Sequence, residues 1–279
     1  MPDPQECRRV AFFKMHGGGN DFILIDHRER CFPRPEQPKL ARRLCAPKVG
    51  VGADGLILLE TSDRADVAWR FYNADGSEAE MCGNGARCAA RFAVLQGLAG
   101  PRLTLETLAG IIHCEVMDRS ARVQLTDVDD LRLHLEIPLG EESLTGHFLR
   151  VGVPHTVIPV ADLETVPVTR WGRAVRFHPL FQPAGTNVNF ITVGNPHELW
   201  IRTYERGVED ETLACGTGSV AAALIAARLE EVRSPVLVHT RGGEVLTVTF
   251  APGEPFREVY LEGETRVVFE GRLWLEEIL

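Results

Sequence analysis

The sequence predicts an α+β protein of two similar, pseudo-symmetric domains, each of mostly antiparallel strands wrapped around a central helix. Three observations predict it. Met81-Cys82-Gly83-Asn84-Gly85-Ala86-Arg87-Cys88-Ala89-Ala90 and Ala214-Cys215-Gly216-Thr217-Gly218-Ser219-Val220-Ala221-Ala222-Ala223 share the form Cys-Gly-x-Gly-small, then an alanine-rich run of good helix formers. One offset of 133 residues carries Cys82 onto Cys215, Gly19 onto Gly152, Asn20 onto Val153 and the apolar run 22–25 onto 155–158. The remaining apolar segments are short and bounded by turn residues, as strands are. A unit repeated at a fixed offset is the mark of internal duplication. The expected domains are residues 1–119 with 267–279, and residues 120–266. Helix and sheet would pack into one core per domain, with the active site in a cleft between the domains that faces both helix N-termini.

In order, residues 1–10 are polar and read as a frayed end. Residues 11–15 read as a strand, His16-Gly17-Gly18-Gly19-Asn20-Asp21-Phe22 as a glycine turn, and 22–26 as the next strand. A glycine loop between two strands is not a dinucleotide loop, which must open a helix. Residues 38–45 predict a short helix, and 56–60 and 68–73 predict strands. The helix after Cys82 runs to about residue 96, stopped by Gly97 and Gly100. Strands follow at 102–107, 110–117 and 121–126. The second half opens near residue 147, with strands at 187–193 and 198–204 before the helix of Cys215. Strands at 236–240, 244–250, 258–262, 265–270 and a short last one at 273–275 complete the chain. An acidic turn precedes each cysteine unit, Asp75-Gly76-Ser77-Glu78 in one and Glu209-Asp210-Glu211-Thr212 in the other.

Composition narrows the function. The 279 residues carry a formal net charge of −9, which disfavours a nucleic-acid surface. A local cradle for a small anionic substrate is compatible with that charge. The seven cysteines are odd in number, scattered, and form no C-x-x-C pair, so neither a disulfide framework nor a structural zinc site is expected. No secretory leader pattern and no apolar run of membrane-spanning length is visible. The expectation is a soluble, cytoplasmic protein with no metal, no membrane and no nucleic-acid partner.

The chemistry lies in the two cysteines. A helix N-terminus has unpaired N–H groups and a partial positive charge, which biases a thiol there toward thiolate. Small residues behind it let backbone N–H groups approach an anion. Two such thiols on opposite faces of one carbon could invert a stereocentre, one removing the α-proton and the other returning a proton. Helix N-termini aimed at the substrate carboxylate would stabilise the charge that develops. No lysine has a recognisable pyridoxal-phosphate context, so a cofactor-free route is the natural one. Cys7, Cys31, Cys45 and Cys114 read as small buried hydrophobes. Cys88, mirrored by Ala221, reads as packing.

At these residues the sequence resembles the diaminopimelate epimerases. The resemblance rests on Lys14-Met15-His16-Gly17-x-Gly19-Asn20-Asp21-Phe22, on Asn73-Ala74-Asp75-Gly76-Ser77 running to Cys82-Gly83-Asn84-Gly85-Ala86-Arg87-Cys88, on Asn187-Val188-Asn189-Phe190, and on Tyr204-Glu205-Arg206-Gly207 running to Cys215-Gly216-Thr217-Gly218. It implies interconversion of LL- and meso-diaminopimelate in lysine biosynthesis, no cofactor, and a homodimer. It implies that Cys82 and Cys215 are the acid/base pair. Gly83, Asn84, Gly216 and Thr217 would offer N–H groups to the reacting carboxylate. Asn20, Asn73, Asn187 and Arg206 would bind the distal amino-carboxylate end. Glu205 and His155 would flank the reacting centre, tuning the thiols or holding the α-amino group.

The chain departs from the family pattern in three places. Gly152-Val153-Pro154-His155 replaces Gly-Asn-Pro-His, and a second such tetrapeptide, Gly194-Asn195-Pro196-His197, is expected in a turn between strands, so the role falls to His155. Gly55 stands where many relatives carry a hydrogen-bonding side chain. An extra acidic residue lies between Arg206 and Cys215. The competing readings are another two-cysteine racemase of proline or hydroxyproline type, a thiol redox sensor joining Cys82 to Cys215, and a non-catalytic amino-acid binding module.

Overall fold

The computed structural model describes residues 9–125, 128–253, 255–274 and 276. They fall into two compact units, one of the described residues up to Val123 with those from Glu264 onward, the other of those from Gln124 to Gly263.

The first unit is built from β1 (Arg9–Gly17), β2 (Asn20–Asp26), α1 (Gln37–Cys45), β3 (Gly55–Glu60), β4 (Val67–Asn73), α2 (Gly83–Leu95), β5 (Arg102–Thr107), β6 (Gly110–Met117) and β7 (Ser120–Gln124). The second contains β8 (Val128–Leu139), β9 (Glu142–Val151), β10 (Val153–Pro159), α3 (Val168–Arg176), β11 (Asn187–Asn195), β12 (Glu198–Glu205), β13 (Asp210–Thr212), α4 (Gly216–Arg228), β14 (Val236–His239), β15 (Val245–Ala251) and β16 (Arg257–Glu264). The last strand, β17 (Arg266–Trp274), returns to the first unit and pairs antiparallel with β1.

The same ladder order is built twice. In the first unit β17–β1–β2 is antiparallel, β2–β3 parallel, β3–β4 antiparallel, β4–β5 parallel, and β5–β6–β7 antiparallel. In the second, β8–β9–β10, β10–β11, β11–β12, β12–β14 and β14–β15–β16 repeat that series of senses. The 133-residue offset carries β2 onto β10 and α2 onto α4 with no residue to spare at either end.

Burial explains the unbroken apolar runs. Phe22, Ile23, Leu24 and Ile25 of β2 and Leu56, Ile57, Leu58 and Leu59 of β3 are essentially inaccessible. Alternate side chains serve opposite faces of a strand. Ile23, Ile25, Leu56 and Leu58 pack with Leu40 and Leu44 of α1, while Phe22 and Ile57 meet the first turn of α2. A sheet covered on both faces loses the polar alternation of a half-exposed one. Each fully buried Leu, Ile or Phe contributes about 1.5–3 kcal/mol. In the second unit Ile158, Val188, Phe190 and Tyr204 pack with Val168 and Val175 of α3, and α4 lies against β9, β10, β11 and β12. Both helices that follow a cysteine are buried along most of their length.

Several expectations need correction. Arg9 and Val10 belong to β1 rather than to a frayed end, while residues 1–8, Cys7 among them, lie outside the described residues. The acidic segment 209–212 is not a simple turn, because Asp210–Thr212 forms β13, paired with β12 after Glu209 adopts φ 60°. The last strand does not start anew at 273, because β17 runs unbroken through Trp274; Leu275 and Thr126, ends of expected strands, lie outside the described residues. The sequence pattern predicts neither β8 nor α3.

Candidate active site

In the first unit the starts of β2 and β3 and the end of β4 share one sheet edge. The registers Phe22–Gly55 and Gly55–Asn73 set this. A Cβ on Gly55 would stand 2.5 Å from the Phe71 ring, so that position admits no side chain here. The β1–β2 hairpin closes through Gly18 and Gly19, at φ 67° and 85°. Positive φ at both central residues is the turn that matches strand twist. Gly18 has a second constraint, because a Cβ there would lie 2.5 Å from Asn84 Oδ1.

Asn84, in the first turn of α2, is buried and fully engaged. Its Nδ2 donates to Gly18 O at 3.2 Å and to Asn20 Oδ1 at 2.9 Å, and its Oδ1 accepts from Arg87 at 2.7 Å. The group Asn84 can still offer to a ligand is therefore its backbone N–H. Asn20 donates onward to Asp54 at 3.0 Å. Asp54 is tied to the backbone of Asp21, which pairs with the buried Lys14 at 2.8 Å. Asn73 ends β4, and its Nδ2 donates to Ser77 Oγ at 2.9 Å inside the turn held by Asp75. Hydrogen bonds from Ser77 hold the Asp75 carboxyl below its usual range.

Cys82 is the N-cap of α2, extended at φ −149° and ψ 115°, and its sulfur accepts from Gly85 N–H at 3.4 Å. Cys215 is the N-cap of α4 at φ −131° and ψ 113°, with Sγ 3.7 Å from Thr217 Oγ1. Gly83 and Gly216 are the first residues of their helices. The first N–H groups of each helix have no partner within the helix, and the helix dipole adds positive potential there. Each helix opening can thus receive an anion beside a thiol.

The second unit repeats the edge with different side chains. His155 of β10 lies in register with Asn187, the first residue of β11. Asn187 donates to Pro154 O at 3.1 Å and accepts from Arg206 N–H at 2.8 Å. It thereby fixes the backbone at the end of β12. The Arg206 guanidinium donates to Ala184 O at 3.0 Å. Glu205 accepts from Thr212 at 2.8 Å. His155 is wholly buried, and desolvation, helped by the nearby Arg206 charge, pushes its pKa down to about 3. It is neutral at physiological pH. Val153 opens β10 opposite Val151 of β9.

Within the first unit the structure brings Asn20 and Asn84 into direct contact, with Asn73 on the same edge. Within the second it joins Asn187 to Arg206 and sets His155 beside Asn187. His197 sits in the β11–β12 turn, its Nδ1 donating to Pro235 O at 2.9 Å, away from that edge. Asp54, Arg87 and Asn189 join these networks although the sequence pattern does not single them out as site residues. Asn189 had a signal: it is two residues from Asn187, so both face the same side of β11.

The other cysteines divide. Burial pushes the thiols of Cys45 and Cys114 up to about 12, and Cys88 is inaccessible, as packing residues are. Cys31 is exposed, against the expectation that it is buried. Its neighbour Phe32 takes the core position, stacked on His27 at 5.3 Å. Among the described residues no group of three or more His, Cys, Asp or Glu could hold a metal ion, and no helix is long and apolar enough to cross a membrane.

A family model described as diaminopimelate epimerase matches residues 12–129 and 147–268. The diaminopimelate epimerase of Aquifex aeolicus is 48% identical over 97% of this chain and 99% of its own. That of Archaeoglobus fulgidus is 43% identical over 97% of this chain and 98% of its own. Among solved structures, a phenazine biosynthesis protein of the PhzF family from Bacillus anthracis superposes with TM-score 0.72 at 17% identity, covering 95% of this chain and 99% of that one. A hydroxyproline epimerase from Agrobacterium vitis, with bound trans-4-hydroxy-L-proline, gives TM-score 0.70 at 16% identity over 96% and 93% of the two chains. At those identities the structures share the fold.

Proposed function

The chain belongs to the diaminopimelate epimerase family, and we propose that it interconverts LL- and meso-2,6-diaminopimelate, the isomerase step of lysine biosynthesis. The observation that carries this is the duplicated helix opening, with Cys82 and Cys215 each an N-cap in extended conformation. One thiolate removes the α-proton and the other thiol returns a proton on the opposite face. The roles exchange in the reverse direction. The α-carbanion develops its charge on the adjoining carboxylate, which the N–H groups of Gly83, Asn84, Gly216 and Thr217 hold. Preorganised donors of this kind are worth several kcal/mol where charge develops.

Asn20, Asn73, Asn187 and Arg206 take the distal amino-carboxylate end, which does not react. A guanidinium suits a carboxylate, and amides fix orientation. Glu205 and His155 flank the reacting centre. The reaction runs without metal or organic cofactor, in the cytoplasm, and the protein acts as a homodimer. The proline and hydroxyproline alternative has support only from a shared fold.

The test is proton NMR of LL-diaminopimelate in deuterium oxide under reducing conditions. The expected result is loss of the α-proton signal with appearance of the meso isomer, both absent with Cys82→Ala. Exchange of proline but not of diaminopimelate would favour the alternative, and tight binding with no exchange a non-catalytic module.

A further inference from the structure

Asn189 is buried in β11 and engages three partners. Its Nδ2 donates to Thr156 O at 3.2 Å, and its Oδ1 accepts from Thr203 Oγ1 at 3.0 Å. A carbonyl oxygen only accepts, so the Thr156 contact fixes which end of the amide is nitrogen. The same Nδ2 lies 3.3 Å from His155 Nδ1. An amide nitrogen only donates, so Nδ1 must be the acceptor and carries no proton. In a neutral imidazole the proton then sits on Nε2. His155 Nε2 is buried and has no hydrogen-bond partner among the described residues.

Asn189 also touches the cysteine helix. A Cβ on Gly218 would lie 2.4 Å from Asn189 Oδ1 and 3.2 Å from Cys215 Sγ. One amide thus abuts both the imidazole and the first turn of α4. In the first unit the corresponding opening of α2 meets the hydrocarbon of Phe22 and Ile57 instead. A lone buried N–H donor is destabilising unless something accepts from it. The polar pair is therefore retained against a stability cost.

We propose that Asn189 is a positioning residue that locks His155 in its Nε2–H tautomer, so that His155 presents a neutral donor to an anionic acceptor, the substrate's reacting carboxylate. This rests on the epimerase reading given above and narrows it. An ammonium group has only donors, so a tautomer-locked His155 does not hold the α-amino group. His155 is also not a proton-accepting base, since its one free nitrogen already bears the proton.

The test uses the full-length protein labelled with 15N-histidine, the His155 signals being assigned with His155→Gln. The expected spectrum without substrate shows Nε2 protonated and Nδ1 bare throughout pH 5–8. Asn189→Asp puts an acceptor against Nδ1, so the proton should move to Nδ1 and the ring should begin to titrate in that window, with the Arg206 charge acting on it. Epimerisation by this variant should fall about 10-fold or more in kcat, with KM changed less. Asn189→Gln or Asn189→His, which keep a donor, should restore part of the rate. A wild-type ring protonated on Nδ1, or one that titrates near pH 6.5, would overturn the proposal even if the aspartate variant fails to fold. These spectra are read without turnover. Wild-type protein that does not exchange diaminopimelate would sink the epimerase reading while leaving the tautomer measured.

Discussion

The openings of α2 and α4 have one backbone and two environments. Both begin at an extended cysteine, continue through Gly-x-Gly, and bury the helix that follows. At α2 the second helical residue, Asn84, binds inward to Gly18, Asn20 and Arg87, and Cys82 accepts from Gly85 N–H. At α4 the matching Thr217 meets the cysteine sulfur, and the polar support comes from the sheet through Asn189 and His155. Duplication has kept the N–H cradle and let the side-chain support diverge.

Substitutions separate the two openings. Under the two-thiol reading either Cys82→Ala or Cys215→Ala should lower the epimerisation rate by about 100- to 10,000-fold, the usual range for loss of an acid/base group. A variant of one cysteine that keeps near-normal turnover would show that the two openings are not equivalent in role. Next in size is stability at the second helical residue. Asn84→Ala strands buried partners in three hydrogen bonds and should cost about 2–3 kcal/mol, whereas Thr217→Ala should cost less than about 1 kcal/mol. Urea midpoints of the two variants measure the gap.

Gly85 and Gly218 offer a sharper contrast. A Cβ at 85 meets Ile57, Cys82 and Phe22 at 3.4–3.5 Å, ordinary contact, while one at 218 meets Asn189 at 2.4 Å. Gly85→Ala should change stability by no more than about 1 kcal/mol, helix propensity offsetting any crowding. Gly218→Ala should destabilise by about 1–3 kcal/mol. Equal thermal shifts in the two variants would contradict this difference in packing.

A further expected effect comes from pH. His155 has a folded-state pKa pushed down to about 3 from an ordinary value of 6.5. Below 6.5 the unfolded chain takes up a proton that the folded chain does not. Stability is therefore lost as pH falls from 6.5 toward about 3, by up to about 1.4 kcal/mol per unit. Urea unfolding at pH 7.0, 6.0 and 5.5 should show that slope, flattened in His155→Gln.

Much of this architecture is legible in the sequence because the two cysteine motifs and the constant offset are local signals. β5 and β6 match their expected ranges, and α2 and α4 begin directly after the cysteines. β8 is not legible although Leu131, Leu133, Leu135 and Ile137 alternate, because most of that strand is only partly buried and its polar residues dominate. α3 is not legible because its core contacts, Val168 and Val175, are spaced among arginines. The site divides in the same way. Cysteines and the N–H groups after them follow from motif and helix geometry. The partner of each amide does not, because no pattern in the chain says that Asn84 turns to Gly18 or that Asn189 meets His155. Those pairings depend on the registers of β2 with β3 and of β10 with β11, which are contacts between residues more than thirty positions apart. Cys31 shows the converse limit: residue type predicted burial, and the neighbouring Phe32 took the place.

The two-thiol mechanism requires that two different groups handle the proton on the two faces of the α-carbon. Its most direct test is the isotopic content of both isomers early in a reaction of LL-diaminopimelate in deuterium oxide. With two thiols, the meso product should carry deuterium at the inverted carbon from its first appearance, while the remaining LL substrate keeps its proton. Meso product that retains the substrate's own proton would mean that a single base moves it across, and would contradict the account.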